Sequence, residues 1–361
     1  MTPSQISEIT PLWLTDVLRS ADLLRGQTKV QAFEAAPASD VGYVADLQRL
    51  TLTYTPPDPA LPRTLIAKFT SDEPDPLIAT PISGENEARF YRTIAPYVRC
   101  LRVPTCYYAK LNPNTHVGLI LLEDCGDMRV PSLVKGVTRA QAESIVQRFA
   151  CFHARWRKDA SPRAIEWLPR VRGYSRLPLE GWWARYLPEV VRLLPNFHLP
   201  KWFPKLGTRF VRSPATVFEP LSTGNITLIH RDAHAENFLF EASGAAFDFV
   251  TLDWELVAQG KGVMDIAYFL LSSVTVADRR AWERDLLYSY HQTLCAGGVQ
   301  AYDFAACWLD YRRAVFDKFV VTMFATILYD NATPHRRAWR AADLRRILAF
   351  MDDHAVGELF A

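Results

Sequence analysis

The pattern of apolar and polar positions changes character along the chain. From Ser7 to Leu24, the residues Ile9, Leu12, Trp13, Val17 and Leu18 recur at mostly helical spacing. Pro11 stands near the start, where a helix needs no N–H, so an N-terminal helix is predicted. Between Lys29 and Tyr54 the pattern becomes that of strands: Val30 to Phe33, then Leu47, Leu50, Leu52 and Tyr54 with β-branched threonines between them. Pro56 to Pro62 reads as a turn. A strand over Thr64 to Phe69, a helix over Gly84 to Ile94 and a strand over His116 to Leu122 follow. Beyond Gly126 helical periodicity dominates, with helices over Thr138 to Arg157, from Asp265 onward, and over Ala277 to Ala296, Tyr302 to Tyr329 and Arg336 to Glu358. The hairpin-like stretch Leu228 to Leu256 interrupts it. The expected architecture is α+β and bilobal: an antiparallel-sheet lobe over 1–122, a connection over 123–127, and a mostly helical lobe over 128–361.

The chemistry concentrates in that interruption. His230-Arg231-Asp232 precedes Asn237, and Asp253 closes the following strand. Phosphoryl transfer from ATP needs such a set: one carboxylate orients the attacking hydroxyl and takes its proton, while an amide and a second carboxylate hold Mg²⁺ on the phosphates. The words also satisfy the H-R-D-x-x-x-x-N pattern of kinase catalytic loops. Upstream, Lys68 is a lone ammonium in an apolar strand, either snorkelling to water or meeting an anion. Placed ahead of a catalytic loop it is the candidate ATP lysine, with Glu87, or else Glu85, as its helix partner. Between the first two strands, the stretch Ala35 to Tyr43 stands where a phosphate-covering loop belongs; Ser39 and Gly42 are its candidates, although a plain hairpin turn uses the same residues. The apolar run ending at Leu122 passes into Glu123, Asp124 and Cys125, a candidate hinge whose backbone meets adenine. His153, on the face of its helix with Phe149 and Phe152, reads as a core or capping histidine rather than a catalytic one.

Composition narrows the partners. The 361 residues are 49% hydrophobic and 22% charged with a formal net charge of +2, an ordinary globular balance that gives no reason to expect nucleic acid. No basic-then-apolar leader opens the sequence, and the longest apolar candidate, Val263 to Val274, is broken by Asp265, so no membrane span is expected and a cytoplasmic location is. Six scattered cysteines without a C-x-x-C pair predict reduced thiols. The stretch 158–214 is different: rich in proline and tryptophan, and from Arg155 to Arg212 it carries thirteen Lys or Arg against four acids. It is either a solvated helical insertion or a lid that disfavours polycationic ligands.

At His230 to Asn237, Asp253-Trp254-Glu255 and Asp265, the sequence resembles the aminoglycoside phosphotransferase and choline kinase superfamily of protein-kinase-like small-molecule kinases. E-x-x-F-Y at Glu87 to Tyr91, L-L-E-D at Leu121 to Asp124 and D-W-E-L ahead of G-x-G-V-M-D-I-A look closest to its ecdysteroid-kinase-like branch. The resemblance implies a protein-kinase-like fold, ATP and Mg²⁺ as cofactors, Asp232 as catalytic base, Asn237 and Asp253 as metal ligands, and Lys68 with Glu87 as the phosphate-positioning pair. Spacing separates the chain from protein kinases on its own terms. Only eleven residues lie between Asp253 and Asp265 and no A-P-E follows, so a peptide platform has no room and a small hydroxylated acceptor is expected. His230, Glu255, Trp182, Trp183, Trp308 and Tyr311 are candidates for contacting that acceptor, the aromatic ones also being candidates for plain core. The expected function is ATP- and Mg²⁺-dependent transfer of the γ-phosphate to a hydroxyl of a metabolite, steroid-like compound or xenobiotic. The alternatives are a silent nucleotide-binding pseudokinase, against which Lys68, Asp232, Asn237 and Asp253 are all present, and a protein kinase.

Overall fold

The computed structural model describes residues 2–38, 46–69, 82–112, 117–126, 128–158, 166–171, 177–241, 249–328 and 334–360. They form two compact units. The first comprises Met1–Val98, Arg102–Met128 and Val250–Glu255; the second comprises Arg99–Leu101, Arg129–Phe249 and Leu256–Ala361. The fold class is the mixed one expected from the sequence, a five-stranded antiparallel sheet followed by a mostly helical remainder.

In the first unit, β1 (Lys29–Pro37), β2 (Asp46–Thr55), β3 (Thr64–Phe69), β4 (Cys106–Leu111) and β5 (Gly118–Glu123) lie in the order β1-β2-β3-β5-β4. Helix α1 (Pro11–Ser20) is capped by Thr10, whose hydroxyl accepts from Trp13 N–H. Its Leu14, Val17 and Leu18 join Leu50, Leu65, Ala67, Phe69, Leu119 and Leu121 in one buried cluster. Alternation along β3 decides what lies opposite. Leu65, Ala67 and Phe69 point into that cluster, so Lys68, which pairs in register with Leu47 and Ile120, must face the other side of the sheet. Helix α2 (Ile82–Thr93) carries Glu87 and the buried Phe90.

The second unit begins with α3 (Arg139–Lys158). Thr138 and Gln141 close its N-terminus reciprocally: Gln141 N–H donates to Thr138 Oγ1 at 3.3 Å and Thr138 N–H to Gln141 Oε1 at 2.9 Å. Within the insertion, α4 (Leu179–Leu193), α5 (Phe203–Arg212) and α6 (Ala215–Leu221) each bury an apolar face while exposing Lys205, Arg209 and Arg212. Among its basic residues, Arg163, Arg172 and Arg176 lie outside the described residues. The insertion is therefore not merely solvated. Trp183 and Phe203 meet Phe319 edge to face, and Phe210 stacks on Phe316 at 4.6 Å. Gly207 is there for contact, since a Cβ on it would lie 2.2 Å from the Trp183 ring.

Next come β6 (Ile226–Ile229), β7 (Phe238–Phe240) and β8 (Phe249–Thr251), which carries the chain into the first unit. β9 (Ala258–Lys261) then pairs antiparallel with β6. Four helices complete the unit: α7 (Val263–Ser273), α8 (Val276–Ala296), α9 (Phe304–Leu328) and α10 (Pro334–Asp353). Every residue of α7 is buried. No helix among the described residues is long and apolar enough to cross a membrane.

One expectation fails. Cys100 and Cys151 form a disulfide with a Cα–Cα distance of 5.8 Å, where reduced thiols were expected; the other four cysteines are free. Residues 99–101 cluster with the second unit, which puts Cys100 against Cys151 on α3, and a sequence separation of 51 conceals that proximity.

Candidate active site

Two constellations carry the predicted residues, one in each unit. In the first unit, Lys68 Nζ lies 2.6 Å from Glu87 Oε2 and 3.0 Å from Asp253 Oδ1. Of the two candidate partners, α2 turns Glu87 inward, 1% exposed, and leaves Glu85 exposed. Burial pushes the Lys68 ammonium down in pKa. Asp253, Glu87 and Glu255 push it back, and the carboxylates prevail, holding it well above its ordinary value of 10.5. Glu87 moves above its ordinary 4.5 because burial outweighs the attraction of Lys68.

Asp253 is placed by its neighbours. Trp254, fully buried, stacks on Phe90 at 4.1 Å with an interplanar angle of 7°, and its Nε1–H donates to Thr251 O. Asp253 itself adopts φ 59, a left-handed conformation that a non-glycine residue holds only when its surroundings impose it. Its side chain stays 35% exposed. Glu87, Asp253 and Glu255 present carboxylate oxygens within 4.8 Å of one another, a hard-oxygen set of the kind Mg²⁺ takes. Glu87 and Asp253 both face the Lys68 ammonium, so a divalent ion drawn toward either would meet a repulsion of about 8 kcal/mol at 4 Å and an effective dielectric near 20.

In the second unit, the catalytic-loop stretch rests on α7. Asp265, fully buried, accepts from His230 N–H at Oδ2 and from Arg231 N–H at Oδ1, both at 2.8 Å. Its Oδ2 also lies 3.1 Å from His153 Nε2, and His153 Nδ1 lies 3.0 Å from the Tyr290 hydroxyl. His153 is thus a core histidine, as read from its helix face. Arg231 adopts φ 68, and its guanidinium pairs with buried Asp317 at 3.2 Å. These contacts hold the turn that presents Asp232.

Asp232 keeps 19% of its side chain exposed. Its Oδ1 accepts from the Tyr268 hydroxyl at 2.7 Å, and its Oδ2 accepts from Asn237 Nδ2 at 3.0 Å, with His234 Nε2 at 3.3 Å. Burial alone would raise its pKa; His234, Tyr268 and His230 reverse that and hold the carboxyl well below the usual carboxylate range. His234 moves the other way, above its ordinary 6.5: burial lowers it, but the Asp232 charge outweighs burial. Asn237 also donates from Nδ2 to Asp232 O at 2.9 Å. The amide nitrogen is thus committed to two oxygens of the residue it braces.

The remaining candidates are placed as follows. Ser39 and Gly42 lie outside the described residues. Glu123 accepts from Arg102 and from Thr105, Asp124 pairs with Arg49 at 2.7 Å and receives Gly126 N–H, and Cys125 is a free thiol. Their side chains therefore brace the end of β5. His230 is fully buried, and its Nδ1 receives Asp232 N–H. Asn86 donates to the Glu255 carbonyl at 3.5 Å. Trp183 and Tyr311 are interior, the Tyr311 hydroxyl donating to Glu283. Trp182 packs on Phe324, and Trp308 on Tyr311 and His354. Tyr268 and His234 were not singled out in sequence. The spacing of Tyr268, one turn beyond Asp265 on a buried helix, was the available signal.

Comparison with known proteins bears on the fold. Residues 178–297 match the model of the ecdysteroid kinase-like family. The fold is that of the protein-kinase-like small-molecule kinases. Choline kinase from Cryptosporidium parvum superimposes with a TM-score of 0.57 at 9% identity, covering 94% of this chain and 96% of that one. The amicoumacin kinase hAmiN, solved with AMP-PNP, Ca²⁺ and Ami, gives 0.53 at 12% identity and 92% of each chain. The GDP complex of wild-type aminoglycoside 2'-phosphotransferase-IIIa gives 0.51 at 12% identity, covering 96% and 100%. No curated protein sequence matches the chain. The superfamily and the branch read from the motifs are the ones these comparisons find.

Proposed function

We propose that this protein is an ATP- and Mg²⁺-dependent phosphotransferase that moves the γ-phosphate to a hydroxyl of a small molecule. The observation that carries the reading is the buried Lys68 ammonium held between Glu87 at 2.6 Å and Asp253 at 3.0 Å. A buried strand lysine fixed in this way is the group that meets the α- and β-phosphates of ATP in kinases.

In this account Lys68, oriented by Glu87, binds the nucleotide phosphates. Asp253, with Glu255 beside it, would hold Mg²⁺. An ion held there would supply neutralisation of the charge on the transferring phosphoryl group. Asp232, charged at neutral pH, accepts a hydrogen bond from the acceptor hydroxyl and takes its proton as the new P–O bond forms and the bond from the γ-phosphorus to the bridging oxygen breaks, releasing ADP. The Asp265 contacts keep the carboxylate in place, so little reorganisation is needed when substrates arrive. The short path from Asp253 to Asp265 favours a small molecule over a protein as acceptor. The nucleotide- and drug-bound structures among the neighbours agree with a nucleotide and a divalent ion as cofactors.

Calorimetry with Mg²⁺-ATP, followed by ADP release against a panel of hydroxylated steroids, polyols and antibiotics, tests the reading. Turnover that falls about a hundredfold or more in Asp232→Asn is expected of a general base. Undiminished turnover in that variant would remove Asp232 from the role.

A further inference from the structure

Two donors hold Asp232 on opposite oxygens, with His234 Nε2 a further contact on Oδ2 at 3.3 Å, and of those two only Asn237 belongs to the motif. The other is Tyr268. Its hydroxyl donates to Asp232 Oδ1 at 2.7 Å, while Asn237 Nδ2 takes Oδ2 at 3.0 Å. A carboxylate with one donor can rotate about its Cβ–Cγ bond; with a donor on each oxygen it cannot do so without breaking a bond.

The phenol is itself fixed from behind. Lys318 Nζ stands over the Tyr268 ring, 4.5 Å from its centroid, and pairs with Asp343 at 3.0 Å. Asp343 Oδ2 in turn accepts from Thr322 Oγ1 at 2.7 Å. Tyr268 is 3% exposed, Lys318 2% and Asp343 0%. Burying an ammonium and a carboxylate is unfavourable unless each is paired, and here the pair braces the aromatic face of the tyrosine that donates to Asp232. Burial pushes the phenol well above its ordinary pKa of 10, with Asp232 adding to the shift, so it remains a donor throughout the neutral range.

We infer that Tyr268 is a positioning residue for the phosphoryl-transfer reaction: its hydroxyl fixes the plane of the Asp232 carboxylate, and the Lys318–Asp343 pair holds the ring in register. The inference rests on the function proposed above. Asp232 then offers its remaining lone pairs on the exposed side only, where an acceptor hydroxyl arrives. A hydroxyl approaching from that side meets a carboxylate whose direction is already set.

The test uses the full chain and Mg²⁺-ATP with water as the acceptor, read as ADP release in single-turnover and steady-state measurements, so no acceptor need be known. Tyr268→Phe keeps the ring beneath Lys318 and removes only the hydroxyl. The expected result is a drop of about tenfold to a hundredfold in kcat, the size of one hydrogen bond to a charged group, with KM for Mg²⁺-ATP within about twofold of wild type. Introduced into Asp232→Asn, the same change is expected to have no further effect on turnover, because the hydroxyl acts through the Asp232 charge. A Tyr268→Phe protein with lower thermal stability but wild-type kcat would make Tyr268 purely structural and overturn the inference. Equal fold losses in the single and double variants would also overturn it, since the hydroxyl would then act independently of Asp232. A wild-type chain that neither binds Mg²⁺-ATP nor releases ADP, with water or with any member of the acceptor panel, would overturn the proposed function instead, which separates the two failures.

Discussion

Replacing Asp265 by asparagine changes one atom and sets two buried groups against each other. Asp265 Oδ1 and Oδ2 each receive a backbone N–H at 2.8 Å, from Arg231 and His230. An asparagine has one carbonyl oxygen, so whichever way its amide lies, an NH₂ faces one of those N–H groups. The second contact on Oδ2, to His153 Nε2 at 3.1 Å, could adapt by a change of tautomer; the backbone donor cannot. The loss is one charge-assisted hydrogen bond, about 1.5–3 kcal/mol, together with a buried donor left unsatisfied, so about 3 kcal/mol in total is expected. Arg231 adds a functional consequence. Its φ of 68 is a left-handed conformation that costs about 1–2 kcal/mol, and the Asp265 bond is part of what maintains it. With that bond gone the turn relaxes and Asp232 moves, so ADP release from Mg²⁺-ATP is expected to fall about tenfold or more. Urea unfolding followed by circular dichroism, with turnover measured on the same preparations, checks both quantities. A stability change below about 1 kcal/mol with turnover within twofold of wild type would refute the reasoning, because two buried N–H groups would then have no need of the carboxylate.

Other outcomes follow from contacts elsewhere. Lys68→Met leaves Glu87 buried beside Asp253 with no cation between them; a loss of about 3 kcal/mol in unfolding free energy and at least a tenfold weaker response to Mg²⁺-ATP in calorimetry are expected. Gly207→Ala drives a methyl into the Trp183 ring, which it would approach to 2.2 Å, and should destabilise the α4 and α5 pairing by about 1–3 kcal/mol, measured as a lowered midpoint of thermal unfolding. Glu283 gives a pH signature. Burial raises its pKa, but hydrogen bonds and charge from His354 and Arg279 overcome that and hold it below its ordinary 4.5. A depressed folded value contributes stability that is complete above the unfolded pKa and is lost as pH falls through the folded one. Glu283→Gln should therefore flatten the decline in stability below about pH 4.5, followed by urea titrations at successive pH values; an unchanged acid limb would count against the assignment.

The parts of this molecule that sequence reveals and conceals differ in range. Lys68 was legible because a lone lysine between Ala67 and Phe69 breaks an apolar alternation, and the sheet resolves it by turning that face toward Glu87. Asp232, Asn237 and Asp253 were legible because their spacing is short and their chemistry is shared. Of the helices of the second unit, α3, α7, α8, α9 and α10 followed from periodicity, while α4, α5 and α6 did not. Contacts made at long separation were not legible. Nothing local to Cys100 indicates Cys151, and for Tyr268 only its place one turn beyond Asp265 hints at a carboxylate 36 positions upstream. The aromatic residues of the insertion were ambiguous for a related reason. Trp183 at helical spacing reads more readily as core than as a pocket wall, and Gly207 and Phe319 packed against it place it in the core.

The central claim is tested most directly by following the γ-phosphate. The intact protein is incubated with Mg²⁺ and γ-labelled ATP, alone and with each member of a panel of small hydroxylated compounds, and the products are separated by size and identified by mass. Label recovered on a small molecule, abolished by chelating Mg²⁺ and reduced about a hundredfold or more in Asp232→Asn, is the result this account predicts. Tight ATP binding with no transfer to any acceptor or to water, or label recovered on protein alone, would contradict it.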